Sequence, residues 1–132
     1  MISHDGVVYF SDEELRCKGS GVVKLAPGFA EKLLELRLAF NEIMSVNSCC
    51  RSKIHNQNVD GSRGSLHVYD YPAHPTGGTC AIDIGTTDSR YRARLVKAAL
   101  NLEWSVGINK SFVHLDRRLD YGVSDEPLIF LY

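Results

Sequence analysis

The chain has 132 residues, 44% hydrophobic and 23% charged, the profile of an ordinary globular domain with enough apolar material for its own core. A domain of this size buries roughly 65–70% of its unfolded surface, so neither a metal nor a disulfide is needed merely to fold it. Fifteen Lys and Arg against 16 Asp and Glu leave a formal net charge of −1, which argues against non-specific partners such as nucleic acid or an anionic membrane surface.

No internal repeat, low-complexity tract or long linker interrupts residues 1–132, which are read as a single domain. No apolar run approaches the roughly 18 residues of a membrane span, so membrane insertion is not expected. The start, Met1-Ile2-Ser3-His4-Asp5, has neither a cationic region nor an apolar stretch. A cleavable signal peptide is therefore not expected, and synthesis in the cytoplasm is.

In chain order, residues 7–10 read as a short extended segment, and Ser11-Asp12-Glu13-Glu14 as a helix N-cap with acidic first-turn residues. Gly19, Gly21, Pro27 and Gly28 punctuate a loop. The clearest helix follows, with Phe29, Leu33, Leu36 and Phe40 at spacings of four, three and four, and Glu31, Lys32, Glu35 and Arg37 mostly on the other side. Residues 43–47 alternate apolar and polar, a strand that delivers the chain to residues 48–51. From 52 to 78 the sequence turns polar and rich in Gly and Pro; a loop of this length marks function or disorder.

Residues 80–85 read as a buried strand, and 89–102 as a helix with Leu95, Ala99 and Leu102 turned inward. Arg90, Arg92, Arg94 and Lys97 on that helix form a solvated face rather than a phosphate patch. Residues 104–108, 112–115 and 128–132 are further strands. Helices come first and strands cluster late, joined by short connections. The expected fold class is α+β, a small domain with a mainly antiparallel sheet packed with helices.

The four cysteines do not form a disulfide framework. Cys49 and Cys50 are adjacent, Cys17 and Cys80 stand alone, and no C-x-x-C pair exists for a zinc knuckle. Free, buried thiols in a reducing compartment are expected.

Three residues stand out for their setting. Asp83 lies in Ala81-Ile82-Asp83-Ile84, where a carboxylate inside an apolar strand is costly unless it is paired or binds a metal. His114 lies in Phe112-Val113-His114-Leu115-Asp116, and His67 at the edge of the glycine-rich loop. Two imidazoles and one carboxylate suit tetrahedral Zn²⁺ with water in the fourth position, and zinc lowers the pKa of that water toward roughly 7.

The order of the motifs adds a resemblance. Asn47-Ser48-Cys49-Cys50-Arg51, His55-Asn56, Ser65-x-His67, Ala81-x-Asp83-Ile84 and Phe112-Val113-His114-x-Asp116-x-Arg118 run in the order found in zinc D-Ala-D-Ala carboxypeptidases. More narrowly, the chain resembles the short phage and bacterial branch that includes L-alanyl-D-glutamate endopeptidase endolysins. Phe10-Ser11-x-x-Glu14-Leu15 and Leu33-x-x-Leu36-Arg37 are similar to that branch as well. The resemblance implies the hedgehog/D-Ala-D-Ala-peptidase type of fold and one zinc per chain, held by His67, Asp83 and His114. It implies that Arg51 holds a substrate carboxylate or the developing oxyanion, a task that suits a planar fork of donors. It places Ser65 where it orients the first ligand or touches substrate, and reads Asn56 as a residue that holds the loop.

The chain departs from the pattern in three places. His67 and Asp83 are further apart than is usual in the family, so residues 68–79 carry an insertion, which brings in His74 as a rival first ligand. The arginine turn reads Ser-Cys-Cys-Arg; Cys49 and Cys50 are read as packing residues, with a zinc-bound thiolate as the lesser alternative. Many relatives keep an acid at the position that is Ser111 here, and serine cannot act as a general base.

Asp116 is the nearest replacement. Along a strand, residues two apart share a face, so Asp116 and His114 can point into one cleft, where Asp116 would shuttle the proton. The alternative role for Asp116 is to accept the second ring N–H of His114 or to pair with Arg118. Glu103 and Asp120 are weaker candidates, and Tyr69 and Tyr71 in the insertion could flank a glycan or peptide groove.

The expected function is zinc-dependent hydrolysis of an amide in peptidoglycan stem peptides by a phage-encoded enzyme. It would be a lysin or a virion-associated wall-opening enzyme whose partners include tail proteins, acting at the cell wall. A D,D-carboxypeptidase is the other enzymatic reading. A non-catalytic phage structural or wall-binding module that keeps the fold is the alternative from another class.

Overall fold

The computed structural model describes residues 1–71 and 75–132. The chain opens with a hairpin of β1 (Ile2–His4) and β2 (Val7–Phe10). Its two-residue turn, Asp5-Gly6, has both φ values positive (50° and 79°), the geometry that matches strand twist and favours Gly. Ser11 then caps α1 (Asp12–Leu15) with a full capping box, its hydroxyl accepting from the Glu14 N–H while the Glu14 carboxylate accepts from the Ser11 N–H.

Helix α2 (Phe29–Phe40) buries Phe29, Leu33, Leu36 and Phe40, the stripe its periodicity predicts. It ends at Asn41, in the left-handed conformation (φ 55°) that short polar residues tolerate. Strand β3 (Val46–Ser48) starts later than the alternation at 43–47 suggests. Ile43 points to solvent, Met44 enters the core, and pairing begins only where Val46 meets Ile84. Within 52–78, Ser52 caps a six-residue helix, α3 (Lys53–Asn58), which has no apolar periodicity to announce it.

Strand β4 (Ala81–Gly85) precedes α4 (Ser89–Asn101), which Asp88 caps by accepting from the N–H groups of Arg90 and Tyr91. Leu95 and Ala99 are fully buried on α4, and Leu102 just beyond it packs against the same core. Strands β5 (Ser105–Ile108) and β6 (Phe112–Asp116), a 3₁₀ turn (Arg118–Tyr121) and β7 (Ile129–Leu131) complete the fold.

The five main strands order as β3-β4-β6-β5-β7. All pairings are antiparallel except β5 with β7, so the sheet is mixed at one edge. Ile82, Ile84, Val113, Leu115 and Val106 join Phe29, Leu33, Leu36, Leu95 and Trp104 in the core. Asp83 and His114 alternate with those residues along β4 and β6, so they leave the sheet on the opposite face. The result is the α+β architecture expected from the sequence.

Candidate metal centre

Four register pairs line up the site. Ser48 on β3 pairs with Asp83 on β4, Asp83 with His114 on β6, His114 with Gly107 on β5, and Gly107 with Phe130 on β7. Paired residues project from the same face. One row therefore crosses all five strands: a hydroxyl, a carboxylate, an imidazole, a bare glycine and an aromatic ring.

His67 joins the row from the long loop, which is tied down on both sides of it. The His67 carbonyl accepts from the Arg51 N–H at 2.9 Å and from the Thr79 hydroxyl at 2.6 Å. The Tyr69 N–H donates to the Arg51 carbonyl at 3.0 Å, and the Cys80 N–H to the Leu66 carbonyl at 3.0 Å. These bonds hold a loop residue as firmly as a strand residue, and His67 is buried.

His67, Asp83 and His114 offer ligand atoms that all lie within 4.8 Å of one another. His67 Nδ1 lies 2.7 Å from the Cys49 carbonyl, which can only accept, so Nδ1 carries the proton. His114 Nε2 lies 2.8 Å from Asp116 Oδ2 and donates to that carboxylate. In the neutral rings, His67 Nε2 and His114 Nδ1 are then bare lone pairs, 3.1 and 2.9 Å from the same Asp83 Oδ1. Three electron-rich atoms facing one another repel unless a proton or a cation lies among them.

Burial lowers the pKa of His67 despite the carboxylate beside it, which favours its neutral form. Asp83 stays ionised: burial pushes its carboxyl up, but the two imidazoles against it, with a proton shared among the three facing atoms, hold it well below the usual carboxylate range. The donor set thus fits zinc, with three protein ligands whose outer ring nitrogens are fixed by other partners.

Of the two roles open for Asp116, proton carrier or partner of His114 and Arg118, the structure shows the bonds of the second. The exposure of Asp116 is 0%, and both oxygens are engaged. Oδ1 accepts from the backbone N–H and Nε of Arg118 at 3.0 and 2.9 Å, while Oδ2 accepts from Arg118 Nη2 at 2.7 Å and from His114. Burial opposes ionisation here too, but the bonds from His114 and Arg118 bring the pKa down to about 2. A carboxylate so held is a poor proton acceptor near neutrality. It orients His114 instead.

Arg51 reaches across the other end of the row. Its Nε donates to Ser48 Oγ at 3.0 Å, its Nη1 to Asn56 Oδ1 at 3.3 Å, and its Nη2 to Asp83 Oδ2 at 3.4 Å. Asn56 is buried and also donates to the Ser62 carbonyl at 3.1 Å. Gly61 packs on it so closely that a Cβ would lie 2.0 Å from Asn56 Oδ1. Asn56 thus joins Arg51 to the glycine-rich turn, the loop-holding role read for it. Ser65 Oγ accepts from the His67 N–H at 3.3 Å and faces the same cleft.

A sequence profile of the family described as peptidase M15 matches residues 8–116. The chain belongs to the peptidase M15 family. Comparisons with curated proteins and with solved structures return no match. M15 peptidases are zinc-dependent metallopeptidases, and the buried His–Asp–His group is a site that could hold the metal. The matched span includes all three of these residues and Arg51, and ends before Arg118 and β7.

In this M15 chain, the cleft over the centre has a volume of about 540 Å³ and is lined by Arg51, Ser65, His67, Asp83 and His114 among others. His74, the rival ligand, lies outside the described residues. Cys49 contributes its backbone carbonyl rather than a thiolate, and all four cysteines are free and buried. Asp120 is engaged by Arg117 at 2.7 and 2.8 Å. The Tyr69 hydroxyl lies 2.8 Å from Ser20 Oγ, whereas Tyr71 lines a neighbouring cavity of about 740 Å³ with Lys53 and Arg63.

Asp60, Phe130 and Tyr132 are among the cleft residues that escaped the sequence reading. Asp60, exposed on the left-handed turn after α3 (φ 54°), lines the wall. Phe130 and Tyr132 enter from β7 and the residue after it. The Asp60-Gly61 pair was a legible turn signal, but nothing local announced that this turn borders the site.

Proposed function

We propose that this chain is a peptidoglycan peptidase that cuts an amide of the stem peptide, with one zinc held by His67, Asp83 and His114. The observation that carries the reading is the pair of histidine lone pairs converging on one ionised carboxylate within a cleft of an M15 chain. Bound there, zinc would supply a Lewis acid for the amide carbonyl and would lower the pKa of an attacking water.

The chain's own residues do the rest. Arg51, beside Asp83 and partly open to the cleft, binds a substrate carboxylate or the charge that develops on the carbonyl oxygen. Asp116 and the Cys49 carbonyl fix the two imidazoles, and Ser65 steadies the backbone of His67. Asp60 accepts the proton and returns it to the leaving amine, since among the described residues it is the cleft-lining carboxylate besides Asp83 and is exposed.

The similarity to short phage-type enzymes supports a phage setting. The protein would act at the bacterial wall, as a lysin or as a virion component with tail proteins for partners. Zymography on purified sacculi, with mass spectrometry of the released muropeptides, tests the activity. Release that stops on chelation and returns with zinc is the expected result. A protein that binds zinc yet releases nothing from several wall chemotypes would be a wall-binding module instead.

A further inference from the structure

The cleft has an aromatic side that amide hydrolysis leaves unused. Phe112, Phe130 and Tyr132 line it. The Tyr132 ring centroid lies 5.1 Å from Phe112 and 5.8 Å from Phe130, with interplanar angles of 64° and 52°. Phe130 and Tyr132 sit 5.5 and 6.3 Å from the His114 ring. Gly107 makes room for them, because a Cβ there would lie 2.5 Å from Phe130 Cε2 and 2.7 Å from Tyr132 Cε2.

The three rings differ in what they leave open. The Arg118 guanidinium lies 5.0 Å over the Phe130 ring, and Phe130 and Phe112 are half-buried. Tyr132 is 62% exposed. It is a ring propped by two aromatic neighbours, on a largely exposed residue that lines the cleft. Such a group is already ordered, so a ligand that covers it loses little further freedom.

We propose that Tyr132, braced by Phe112 and Phe130, is a stacking platform for a sugar ring of the glycan that carries the stem peptide. The proposal rests on the peptidoglycan reading above. A pyranose presents a face of C–H bonds and a rim of hydroxyls, which matches a tyrosine ring with an apolar face and a polar tip. An alanine methyl offers too little apolar area to gain much from so open a surface.

Position agrees with chemistry. Arg51 stands at the β3–β4 end of the row and suits an anionic group, while the platform stands at the β7 end, on the other side of His114. An extended chain advances about 3.3–3.6 Å per residue. A sugar on a ring 6.3 Å from His114 is then within about two residues of an amide held at the centre. The platform selects amides near the sugar over those at the far end of the stem.

The test uses the full chain with its zinc. The disaccharide of N-acetylglucosamine and N-acetylmuramic acid has no stem amide to cut, so its binding is read without hydrolysis. In saturation-transfer NMR, wild type and Tyr132→Phe should pass saturation to the C–H protons of a sugar face, and Tyr132→Ala should not. With a disaccharide–peptide substrate, Tyr132→Ala should raise KM roughly 10-fold at unchanged kcat and zinc content, while KM for the same peptide without sugar stays put. No transfer in wild type, equal transfer in wild type and Tyr132→Ala, or an equal rise in KM for both substrates overturns the platform. Wild type that binds the disaccharide yet releases nothing from sacculi overturns the peptidase reading and supports the platform.

Discussion

Asp116 Oδ2 lies 2.8 Å from His114 Nε2, and the same carboxylate is clamped by Arg118 through its backbone N–H, Nε and Nη2. His114 is thereby held from behind, with Nδ1 turned toward Asp83. The charge of Asp116 favours a proton on Nε2, which leaves Nδ1 as the lone pair available to a metal. The relation Arg118–Asp116–His114 sets a tautomer and an orientation, not a proton relay into the cleft.

Asp116→Asn should therefore act on metal affinity. The amide keeps the shape but can present an N–H to Nε2, which favours the wrong tautomer. Zinc affinity, measured by competition with a chromophoric chelator, should weaken roughly 10–100-fold, with hydrolysis recovering when zinc is added. A variant with wild-type zinc affinity and lost turnover would restore Asp116 as the proton carrier.

Asp60→Asn makes the opposite prediction. Asp60 lines the cleft and is exposed. Zinc content should match wild type while turnover falls about 10²–10⁴-fold, the range for a removed acid–base group. Muropeptide release at the wild-type rate would take Asp60 out of the proton path.

How far these roles can be read in advance depends on the range of the interaction. Asp83 was legible because a carboxylate among Ala81, Ile82 and Ile84 contradicts its surroundings, and such a conflict points to a partner. The stripe on α2 was legible because its period is local. The spacing of His114, Asp116 and Arg118 left two roles open for Asp116; that Arg118 bends back to cover it depends on the chain after β6. The parallel edge strand was equally hidden, since an apolar run such as Ile129–Leu131 says nothing of direction, and the pairing of Gly107 with Phe130 joins positions far apart in sequence. The Asp5-Gly6 hairpin, by contrast, carried a plain two-residue turn signal that the reading from residue 7 onward passed over.

Arg51→Lys keeps the charge and loses the fork. The guanidinium serves Ser48, Asn56 and Asp83 at once, which an ammonium on a flexible stem cannot reproduce. Turnover should fall roughly 10²-fold, as when one donor to a developing oxyanion is removed, with zinc content intact. Wild-type turnover in this variant would leave Arg51 a purely structural part of the loop.

Zinc stoichiometry tests the ligand set directly. Wild type should carry about one zinc per chain by plasma mass spectrometry, and His67→Ala, Asp83→Ala and His114→Ala should each lose most of it. His74→Ala should keep it. If His74→Ala loses zinc while His67→Ala retains it, the first ligand comes from the insertion.

The depressed pKa of Asp116 ties its charge to the acid stability of the fold. In the unfolded chain an aspartate titrates near 3.9, whereas in the fold Asp116 titrates at about 2. The folded state binds the proton more weakly, so ionised Asp116 stabilises the fold above pH ~4, and this contribution is lost as pH falls through about 2. A shift of nearly two units corresponds to on the order of 2 kcal/mol, and the carboxylate is 0% exposed, so solvent does not screen it. The pKa of His114 is raised, since its bonds to Asp116 and Asp83 outweigh the opposing effect of burial, so its charge does not change across this window. Urea unfolding of zinc-stripped protein should show wild type more stable than Asp116→Asn at pH 5, with the gap closing by about 2 kcal/mol toward pH 2. A gap that stays constant from pH 5 to pH 2 would mean that Asp116 is not held as an ion in the fold, and with it would go the argument for the His114 tautomer.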